Sequence, residues 1–506
     1  MFRSLASFAA LAALATLTGV VACDGPKSST TVWAQPAGSL PTPSAGEAGP
    51  LVDPPTTAST ASAPEPPLID PKYADAARKL TATAEADTRA FDRLTYMADI
   101  FGHRLSGSEA LEKAIDWSLE IMTEDGLSNV RREPVMVPHW VRGKESAMIV
   151  GPNKRELPVL GLGMTVGTPR GGITAEVVVV ANLDELEQRA GELKGKIVVI
   201  NQAMPPYDHE RHDAHYGKTV PIRAHGASRA GKHGAKAVLV RSVTASNSRT
   251  LHTGSLNYEA GSPKIPAAAI APEDAEWFAR MAARGEPVKV RLELGAKLLP
   301  DAKSGNAIAE IPGRELPEEI VVIGGHIDSW DVGDGSTDDG SGCLMAMEAA
   351  TMLLELGLIP RRTIRVVLFT NEENGLRGGK AYFEAHQHEP HVAGIEADSG
   401  SGAPWGFGIG SSEAELAALL PYAPLFAGLG ADNFVLGGGG ADISPLTNAG
   451  MLGLAHRPDT SHYFDLHHSP ADTIDKIAPF HLERNAAAMA LMAYILAERD
   501  LPEPQE

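Results

Sequence analysis

The chain has 506 residues, of which 43% are hydrophobic and 21% are charged, the composition of a globular protein long enough for two or three domains. Its formal net charge of -20 argues against nucleic-acid binding, because that function needs a basic face. The only cysteines are Cys23 and Cys343, so disulfides cannot be the main source of stability.

The first 70 residues predict an export signal followed by a spacer. Residues 1–23, MFRSLASFAALAALATLTGVVAC, have an early arginine and a short apolar stretch, which is typical of a secretory signal and too short for a membrane-spanning helix. The ending VVAC resembles a bacterial lipoprotein cleavage box, which predicts an exported protein anchored by a lipid on Cys23 that faces the periplasm or cell surface. The alternative is plain secretion. Residues 24–70, rich in Pro, Ala, Ser and Thr, predict a disordered tether.

The next two segments differ in pattern. Residues 71–134 predict helices at 72–97 and 106–127, the second with a serine at its start, and form the N-terminal part of a catalytic domain. Residues 135–295 contain β-branched runs such as AEVVVVAN and GKIVVINQ between glycine-rich turns. This pattern predicts a small mixed α/β unit inserted into the chain.

Residues 296–506 alternate regularly between strands and helices. Apolar strands are predicted at 318–328, 363–373 and 391–400, and a long amphipathic helix at 479–500 closes the chain. Continuously apolar strands that alternate with helices predict an α/β fold whose mostly parallel or mixed sheet is sandwiched by helices.

Possible metal ligands follow each of these strands, where ligands collect in open α/β sheets. Alone, a His-x-Asp pair, an acidic pair or an aspartate-rich loop is most often solvated or part of a turn. Together, mixed histidine and carboxylate ligands at one sheet edge suit zinc, and their number suits two ions that share a carboxylate. Manganese or cobalt could occupy the same ligands. The residues concerned are His326, Asp328, Asp338, Asp339, Glu372, Glu373, Asp398, His467, His468 and Asp472.

The order of the motifs GGHID, DDGSG, NEE, EADS and HHSPADT resembles the di-zinc exopeptidase family of leucyl aminopeptidases and glutamate carboxypeptidases. The segments GGHIDSWDVGDGSTDDGSG and FGHRLSGSEALEKAIDW resemble most its plasma glutamate carboxypeptidase, or carboxypeptidase Q, branch. The resemblance covers about residues 75–500. It implies the zinc-exopeptidase fold, with residues 135–295 as an inserted protease-associated domain.

The resemblance also implies a ligand set for two Zn²⁺ ions. His326 and Asp398 would hold one ion, Glu373 and His468 the other, and Asp338 would bridge them. Asp339 would be a loop residue rather than a second bridge.

Three further residues take catalytic roles by the same resemblance. Glu372 would be the general base that activates a hydroxide between the two ions. Asp328 would accept a hydrogen bond from the second ring nitrogen of His326, which fixes the orientation of the ring. His467 stands where relatives often have tyrosine, and is either the donor to the oxyanion or a buried structural histidine.

The predicted function is therefore zinc-dependent exopeptidase hydrolysis of dipeptides or short peptides. Two alternatives stay open: hydrolysis of a non-peptide amide, or a non-catalytic lipoprotein that binds metal or peptide. The sequence does not determine whether the N- or the C-terminus of a peptide is recognised. Candidate residues for binding a substrate carboxylate are Arg314, Arg377 and Arg457. The sequence also leaves open whether the chain forms a homodimer.

Overall fold

The computed structural model describes residues 69–501. The predicted signal at 1–23, with Cys23, and nearly all of the predicted tether lie outside the described residues. Between residues 69 and 501 we find no helix with the length and apolar character needed to cross a bilayer.

The strands of residues 69–501 form two mixed sheets of eight strands each. The first sheet has the order β1-β10-β12-β11-β13-β16-β14-β15. Its strands, in chain order, are β1 (Ser128–Val141), β10 (Lys297–Ile311), β11 (Leu316–His326), β12 (Arg362–Phe369), β13 (His391–Glu396), β14 (Pro404–Ile409), β15 (Asn433–Leu436) and β16 (Leu452–Pro458).

The centre of the first sheet is parallel. Strand β11 lies between β12 and β13 and runs parallel to both, with His326 opposite Phe369 and Gly324 opposite Glu396. Parallel register brings the carboxyl ends of the three strands to one edge of the sheet. The α/β fold predicted from the alternating pattern is confirmed, with antiparallel pairs at β1–β10, β10–β12 and β14–β16.

Helices cover both faces of this sheet. Val321 and Ile323 of β11 pack into the larger core, and Ile320 and Val322 pack into the smaller core on the other face. Burial on both faces explains why the strand is apolar at successive positions. The helices around the first sheet are α1 (Pro71–Ala86), α2 (Arg89–Ile100), α3 (Glu109–Glu124), α8 (Ser341–Glu355), α9 (Arg377–His386), α10 (Glu413–Leu419), α11 (Ser444–Asn448), α12 (Tyr463–Leu466) and α13 (Pro479–Glu498).

Two helix predictions differ from the structure. The helix predicted over 72–97 is broken between α1 and α2, because Asp87 is extended and its carboxylate accepts the backbone N–H groups of Thr88 and Arg89. The closing helix α13 is not amphipathic but buried on nearly all sides from Leu482 onward. It packs against α1, α2, α8 and the sheet, and a helix with neighbours all round is apolar all round.

The second sheet has the order β3-β2-β9-β5-β6-β7-β8-β4, and we call residues 142–296 the second-sheet unit. Its strands are β2 (Glu145–Gly151), β3 (Arg155–Glu156), β4 (Leu160–Gly161), β5 (Ile173–Val180), β6 (Ile197–Ile200), β7 (Ala237–Arg241), β8 (Ala267–Ile270) and β9 (Lys289–Leu294). Its helices are α4 (Leu183–Gln188), α5 (Tyr216–Thr219), α6 (Pro221–Lys232) and α7 (Pro272–Ala283).

The expected boundary at residue 135 falls inside β1, which pairs with β10 in the first sheet. The chain leaves the first sheet after Val141 and returns at Lys297. A β-branched strand has the same composition in either sheet, so composition alone could not place this boundary. At the junction the buried indoles of Trp140 and Trp330 pack edge to face, with 6.5 Å between ring centroids.

Candidate active site

The predicted ligands lie at the carboxyl edge of the three central strands. His326 is the last residue of β11, and Asp398 follows β13 by two residues. Glu372 and Glu373 lie in the turn after β12, so the predicted strand to 373 ends earlier, at Phe369. The edge of a parallel sheet thus collects side chains that are far apart in the chain.

One cluster joins His326, Asp338 and Asp398. Nε2 of His326 lies 3.3 Å from Oδ1 of Asp338 and 3.4 Å from Oδ1 of Asp398. His326 and Asp338 are buried, whereas Asp398 is half-buried. The three offer donor atoms within 4.8 Å of one another, the spacing of ligands around a single ion.

A second cluster shares Asp338 with the first. Nε2 of His468 lies 2.9 Å from Oε2 of Glu373 and 3.2 Å from Oδ2 of Asp338. Nε2 of His467 lies 3.7 Å from the same Asp338 oxygen, and His467 belongs to this group of potential ligands. Asp338 therefore presents one carboxylate oxygen to each cluster.

The donor set suits a metal. Oδ2 of Asp338 and Oε1 of Glu373 are buried without a hydrogen-bond partner within residues 69–501. Buried carboxylate oxygens of this kind are costly unless a cation or a donor satisfies them. Imidazole and carboxylate are ligands of zinc and of other divalent transition metals.

The contacts behind the ligands show which atoms of Asp328 support the site. The backbone carbonyl of Asp328 accepts the hydrogen bond from Nδ1 of His326 at 2.9 Å, whereas the Asp328 carboxylate lies 3.8 Å from that nitrogen. The carboxylate instead accepts the backbone N–H of Glu372 at 3.0 Å. The predicted hydrogen bond from His326 to Asp328 is therefore present, and its acceptor is the backbone carbonyl, because the turn after β11 directs the main chain toward the ring.

Two further aspartates hold the backbone of the acidic loop. Asp339 accepts the N–H groups of His326 and Gly342, both at 3.0 Å. Asp472 accepts those of Thr337, at 2.6 Å, and Asp338, at 3.1 Å. Asp339 is thus a supporting loop residue, and Asp472 positions the shared ligand Asp338.

Glu372 and His467 face a cavity of 780 Å³ beside the two clusters. Burial raises the pKa of Glu372 well above its usual range; His326 opposes this effect, while Asp398 and Glu373 add to it. A carboxylate with a raised pKa is a stronger base. Burial lowers the pKa of His467 well below its usual range, and the neighbouring His468 acts in the same direction. His467 is therefore neutral near pH 7, with one ring N–H to donate.

Comparison with known proteins agrees with this geometry. Residues 306–493, which carry every ligand above, match the model of Peptidase family M28. Carboxypeptidase Q of Mus musculus is 43% identical over 433 residues, which cover 85% of this chain and 90% of that protein. The chain belongs to peptidase family M28. The family resemblance that the motifs predict is therefore confirmed. The chain is a metallo-exopeptidase.

Solved structures of similar proteins extend this result. The Peptidase M28 precursor from Shewanella amazonensis superposes with a TM-score of 0.82 at 35% identity, covering 86% of this chain and all of that chain. BSAP, a zinc aminopeptidase from Bacillus subtilis, gives a TM-score of 0.60 at 21% identity, covering 81% of this chain and 95% of that chain. At 21% identity, this similarity shows that the two chains share a fold.

Sequence reasoning missed Arg104, which supports the acidic loop from behind. Its fully buried guanidinium donates to the carbonyl oxygens of Ile327, Asp334 and Gly335 at 2.7–2.9 Å. These bonds connect the start of the loop that carries Asp338 with its middle. The segment FGHRLSGS contains Arg104, but a single arginine near a predicted helix gives no sign of the distant loop that it supports.

The second-sheet unit reaches the site through residues 252–257. His252 donates Nδ1–H to the carbonyl oxygen of His467 at 2.7 Å, and Thr253 donates its N–H to that of His468 at 2.8 Å. Asn257 lines the cavity. This stretch thus fixes the backbone of the His467–His468 pair.

Asp442, in the glycine-rich segment after β15, is not on the cavity wall. It is buried, and its backbone N–H donates to Glu396 at 3.3 Å. Residues that line the cavity and carried no sequence signal include Arg223, Tyr216, Asn374 and Tyr463.

Proposed function

We propose that this M28 peptidase is a zinc-dependent exopeptidase that hydrolyses dipeptides or short peptides with Glu372 as the general base. The observation that carries the proposal is the pair of clusters that share Asp338 beside a cavity onto which Glu372 opens. His326, Asp338 and Asp398 would hold one Zn²⁺, and Asp338, Glu373 and His468 a second. BSAP of Bacillus subtilis, which shares this fold, is a zinc aminopeptidase, and this supports zinc as the metal.

Zinc, when bound, supplies Lewis-acid polarisation of the scissile carbonyl and lowers the pKa of the attacking water. The protein supplies the proton transfers. Oε of Glu372 accepts a proton from the water and later delivers it to the leaving nitrogen of the substrate. Because the Asp328 carboxylate accepts the Glu372 N–H at 3.0 Å, the base is held at the rim of the cavity.

His467 would donate its ring N–H to the carbonyl oxygen of the substrate as negative charge develops there. Its depressed pKa keeps the ring neutral, so it acts as a hydrogen-bond donor rather than as a cation. The same ring packs on His468, with 3.5 Å between centroids, which fixes its orientation.

The test compares the wild type with Glu372→Gln, using the metal content and the release of amino acids from a panel of dipeptides and of N- and C-blocked peptides. We expect two zinc ions per chain in both proteins. We expect turnover in the variant to fall by roughly 10²–10⁴-fold, the usual contribution of a general base. Glutamine keeps the size of the side chain, so the loss would report the proton transfer and not the packing.

Each other outcome has a defined meaning. Zinc binding without turnover of any peptide by the wild type would reject the peptidase proposal, and a panel of non-peptide amides would then test the remaining hydrolase function. Equal turnover by wild type and Glu372→Gln would reject Glu372 as the base. One metal ion per chain would reject the shared role of Asp338.

A further inference from the structure

The connection between β6 and α5 borders the cavity of the candidate active site. We call this connection, residues 201–215, the strap. Its residues His212, Asp213 and Ala214 line the 780 Å³ cavity, and so does Tyr216, the first residue of α5. The metal ligands follow strands of the first sheet, whereas the strap belongs to the second-sheet unit. The strap therefore brings another part of the fold to the cavity without contributing a metal ligand.

Both ends of the strap are anchored in the second-sheet unit. Near its start Met204 is buried in the core of that unit, and near its end Ala214 packs against the same core. The Tyr216 ring stacks on Phe464, with 4.6 Å between centroids, and meets the His467 ring edge to face at 5.2 Å. The strap therefore ends at a fixed point beside the histidine assigned to the oxyanion.

The middle of the strap is a compact tip, residues 208–213. Asp208 and Asp213 exchange both of their backbone hydrogen bonds, at 2.9 and 3.2 Å. The Asp208 carboxylate accepts the backbone N–H groups of Glu210 at 3.0 Å and Arg211 at 3.1 Å. Residues 209–211 are exposed. Because these hydrogen bonds lie within the tip, the tip can move as one unit without breaking them.

The strap touches the opposite wall of the cavity through a small set of contacts, which we call the latch. The His212 ring packs on the Trp405 ring of β14, with 4.5 Å between centroids. Nη2 of Arg457 donates to the His212 carbonyl oxygen, and the Thr460 hydroxyl donates to that of Tyr207, both at 3.3 Å. Arg457 and Thr460 also line the cavity. The latch therefore joins the two walls, and the strap bridges the cavity.

The latch is weak compared with the anchored ends. Its two hydrogen bonds are long, and within residues 69–501 the ion pairs of the strap, Arg211 with Asp208 and His215 with Asp213, stay inside it. His212 and His215 have φ of +50° and +59°, a strained backbone for residues other than glycine. Segments with few buried contacts open locally at low free-energy cost. A compact tip on a weak latch between fixed ends is the arrangement of a lid.

We propose that the strap sets the length limit of the substrate. This inference rests on the proposed function and names its substrate class: peptides of about two or three residues, the size of ligand that a cavity of 780 Å³ encloses. Each further extended residue adds about 3.5 Å to the substrate. A longer peptide has to pass through the space that the tip occupies, so the closed latch excludes it.

The experiment uses the zinc-loaded full-length protein with oligoalanines of two, three and five residues, which differ only in length. Two variants release the latch. Trp405→Ala removes the ring under His212, and Trp405 itself does not line the cavity. A shortened strap, in which Gly-Gly replaces residues 209–212, removes most of the tip. Asp208 and Asp213 already face each other as a bonded pair, so a two-residue turn can join them.

We expect kcat/KM of the wild type to be about 100-fold lower for pentaalanine than for dialanine. In both variants the difference should shrink to less than about fivefold, because cleavage of pentaalanine rises. The matched control is Trp277→Ala. Cζ of Arg155 lies 4.9 Å from the Trp277 ring, as that of Arg457 lies 5.4 Å from the Trp405 ring, but Trp277 does not line the cavity or touch the strap. This control should keep the wild-type ratio.

A second readout does not depend on turnover. The Arg211 side chain on the tip is 80% exposed, so trypsin can cut after Arg211 once the strap opens locally. We expect Trp405→Ala to be cut there about fivefold faster than the wild type or Trp277→Ala, with the fragments identified by mass. Zinc content and the melting temperature show whether each variant is loaded and folded.

Four results would overturn the inference. They are equal cleavage of pentaalanine and dialanine by the wild type, an unchanged length preference in the shortened strap, the same change of ratio in Trp277→Ala as in Trp405→Ala, and equal cutting at Arg211 in the wild type and Trp405→Ala. In each case peptide cleavage itself stands. Cleavage of no oligoalanine by any of the proteins would instead reject the proposed function, and the trypsin experiment would still test the latch.

Discussion

Asp328 shows how one residue can support two parts of the site with different atoms. Its backbone carbonyl accepts the hydrogen bond that orients His326, and its carboxylate accepts the N–H of Glu372. The side chain is fully buried and also lies 3.3 Å from the hydroxyl of Ser106. A substitution therefore separates the two functions, because it removes the carboxylate and leaves the carbonyl.

We expect Asp328→Ala to lower kcat by roughly 10–100-fold. Zinc affinity should change by less than about tenfold, which is less than the loss of affinity that follows removal of a group that orients a metal ligand. The backbone carbonyl still orients His326, but Glu372 loses the acceptor for its N–H. Steady-state kinetics and zinc titration against a chelating indicator measure the two effects. Asp328→Asn is the matched variant, since its amide oxygen can still accept that N–H, and most of the activity should remain.

A loss of zinc affinity in Asp328→Ala that exceeds the loss in kcat would contradict this division. It would mean that the carboxylate, at 3.8 Å from the ring nitrogen, holds His326 after all.

At the scale of elements, the contact between α2 and α13 contains a carboxyl group with an unusual environment. Glu483 of α13 is fully buried, and Oε1 accepts the N–H of Phe91 at the start of α2 at 3.2 Å. Oε2 has no partner within the described part of the chain. Burial raises the pKa of Glu483 to about 7; the Phe91 N–H opposes the shift, and Glu348 adds to it.

This shift makes the packing of α13 dependent on pH. The folded pKa of about 7 lies above the ordinary value of 4.5, so folding favours the protonated form. The stabilisation is complete below about pH 4.5 and is lost as the pH rises to 7. Relative to the protonated form, ionised Glu483 would cost up to about 3 kcal/mol at pH 8.

We expect Glu483→Gln to stabilise the protein at pH 8 by up to about 3 kcal/mol and to have little effect at pH 5, because glutamine keeps the acceptor without the charge. Urea unfolding at the two pH values measures this. The control is Glu120→Gln on α3, where the side chain is exposed and neither pH should show an effect above about 0.5 kcal/mol. Equal effects of Glu483→Gln at both pH values would show that Glu483 does not titrate in this range.

At the scale of the whole molecule, the site joins segments that have no other reason to be close. The ligands come from the ends of β11 and β13, from the turn after β12, from the acidic loop and from the segment after α12. Arg104 braces the acidic loop, and the second-sheet unit holds the backbone at His467 and His468. Several carboxylates meet there, and they repel one another without a cation between them.

Metal removal should therefore destabilise the whole fold and not only the site. We expect a chelator to lower the melting temperature by about 5 °C or more. A ligand that binds only the folded state adds about 4 kcal/mol to the free energy of unfolding when its free concentration is about 1,000 times Kd. Added zinc should restore the original value. Differential scanning calorimetry with and without chelator measures the shift.

The matched variant is Asp338→Asn, which removes the charge that both clusters share. Its melting temperature should be less sensitive to the chelator than that of the wild type. If the chelator shifts both proteins equally, or neither, the shared carboxylate does not link metal binding to the stability of the fold.

Much of the fold followed from local pattern. The buried strand at 316–326 and the helix at 341–355 form because apolar period and flanking turns act within a few residues, and the prediction of an α/β fold is confirmed. Ser108 caps α3 as its position predicts, accepting the N–H of Leu111 at 3.1 Å. Metal-ligating residue types at strand ends, with the family resemblance, likewise gave candidates for the site.

Local pattern could not decide features that depend on distant neighbours. The break at Asp87, the full burial of α13 and the placement of 135–141 in the first sheet each depend on what packs against a segment. The same holds for Asp328, where the path of a turn decides that the carbonyl accepts from His326 and the carboxylate from the N–H of Glu372.

The sequence by itself determined the fold class, the family and the residue types of the site, because strand periodicity and motif spacing are local properties of the chain. Only the tertiary structure decided which atoms face one another. It placed Arg104 behind the acidic loop and Arg223 beside His468, 231 and 245 residues away in the chain respectively. A hydrogen bond depends on distance in space, and separation along the chain carries no information about it.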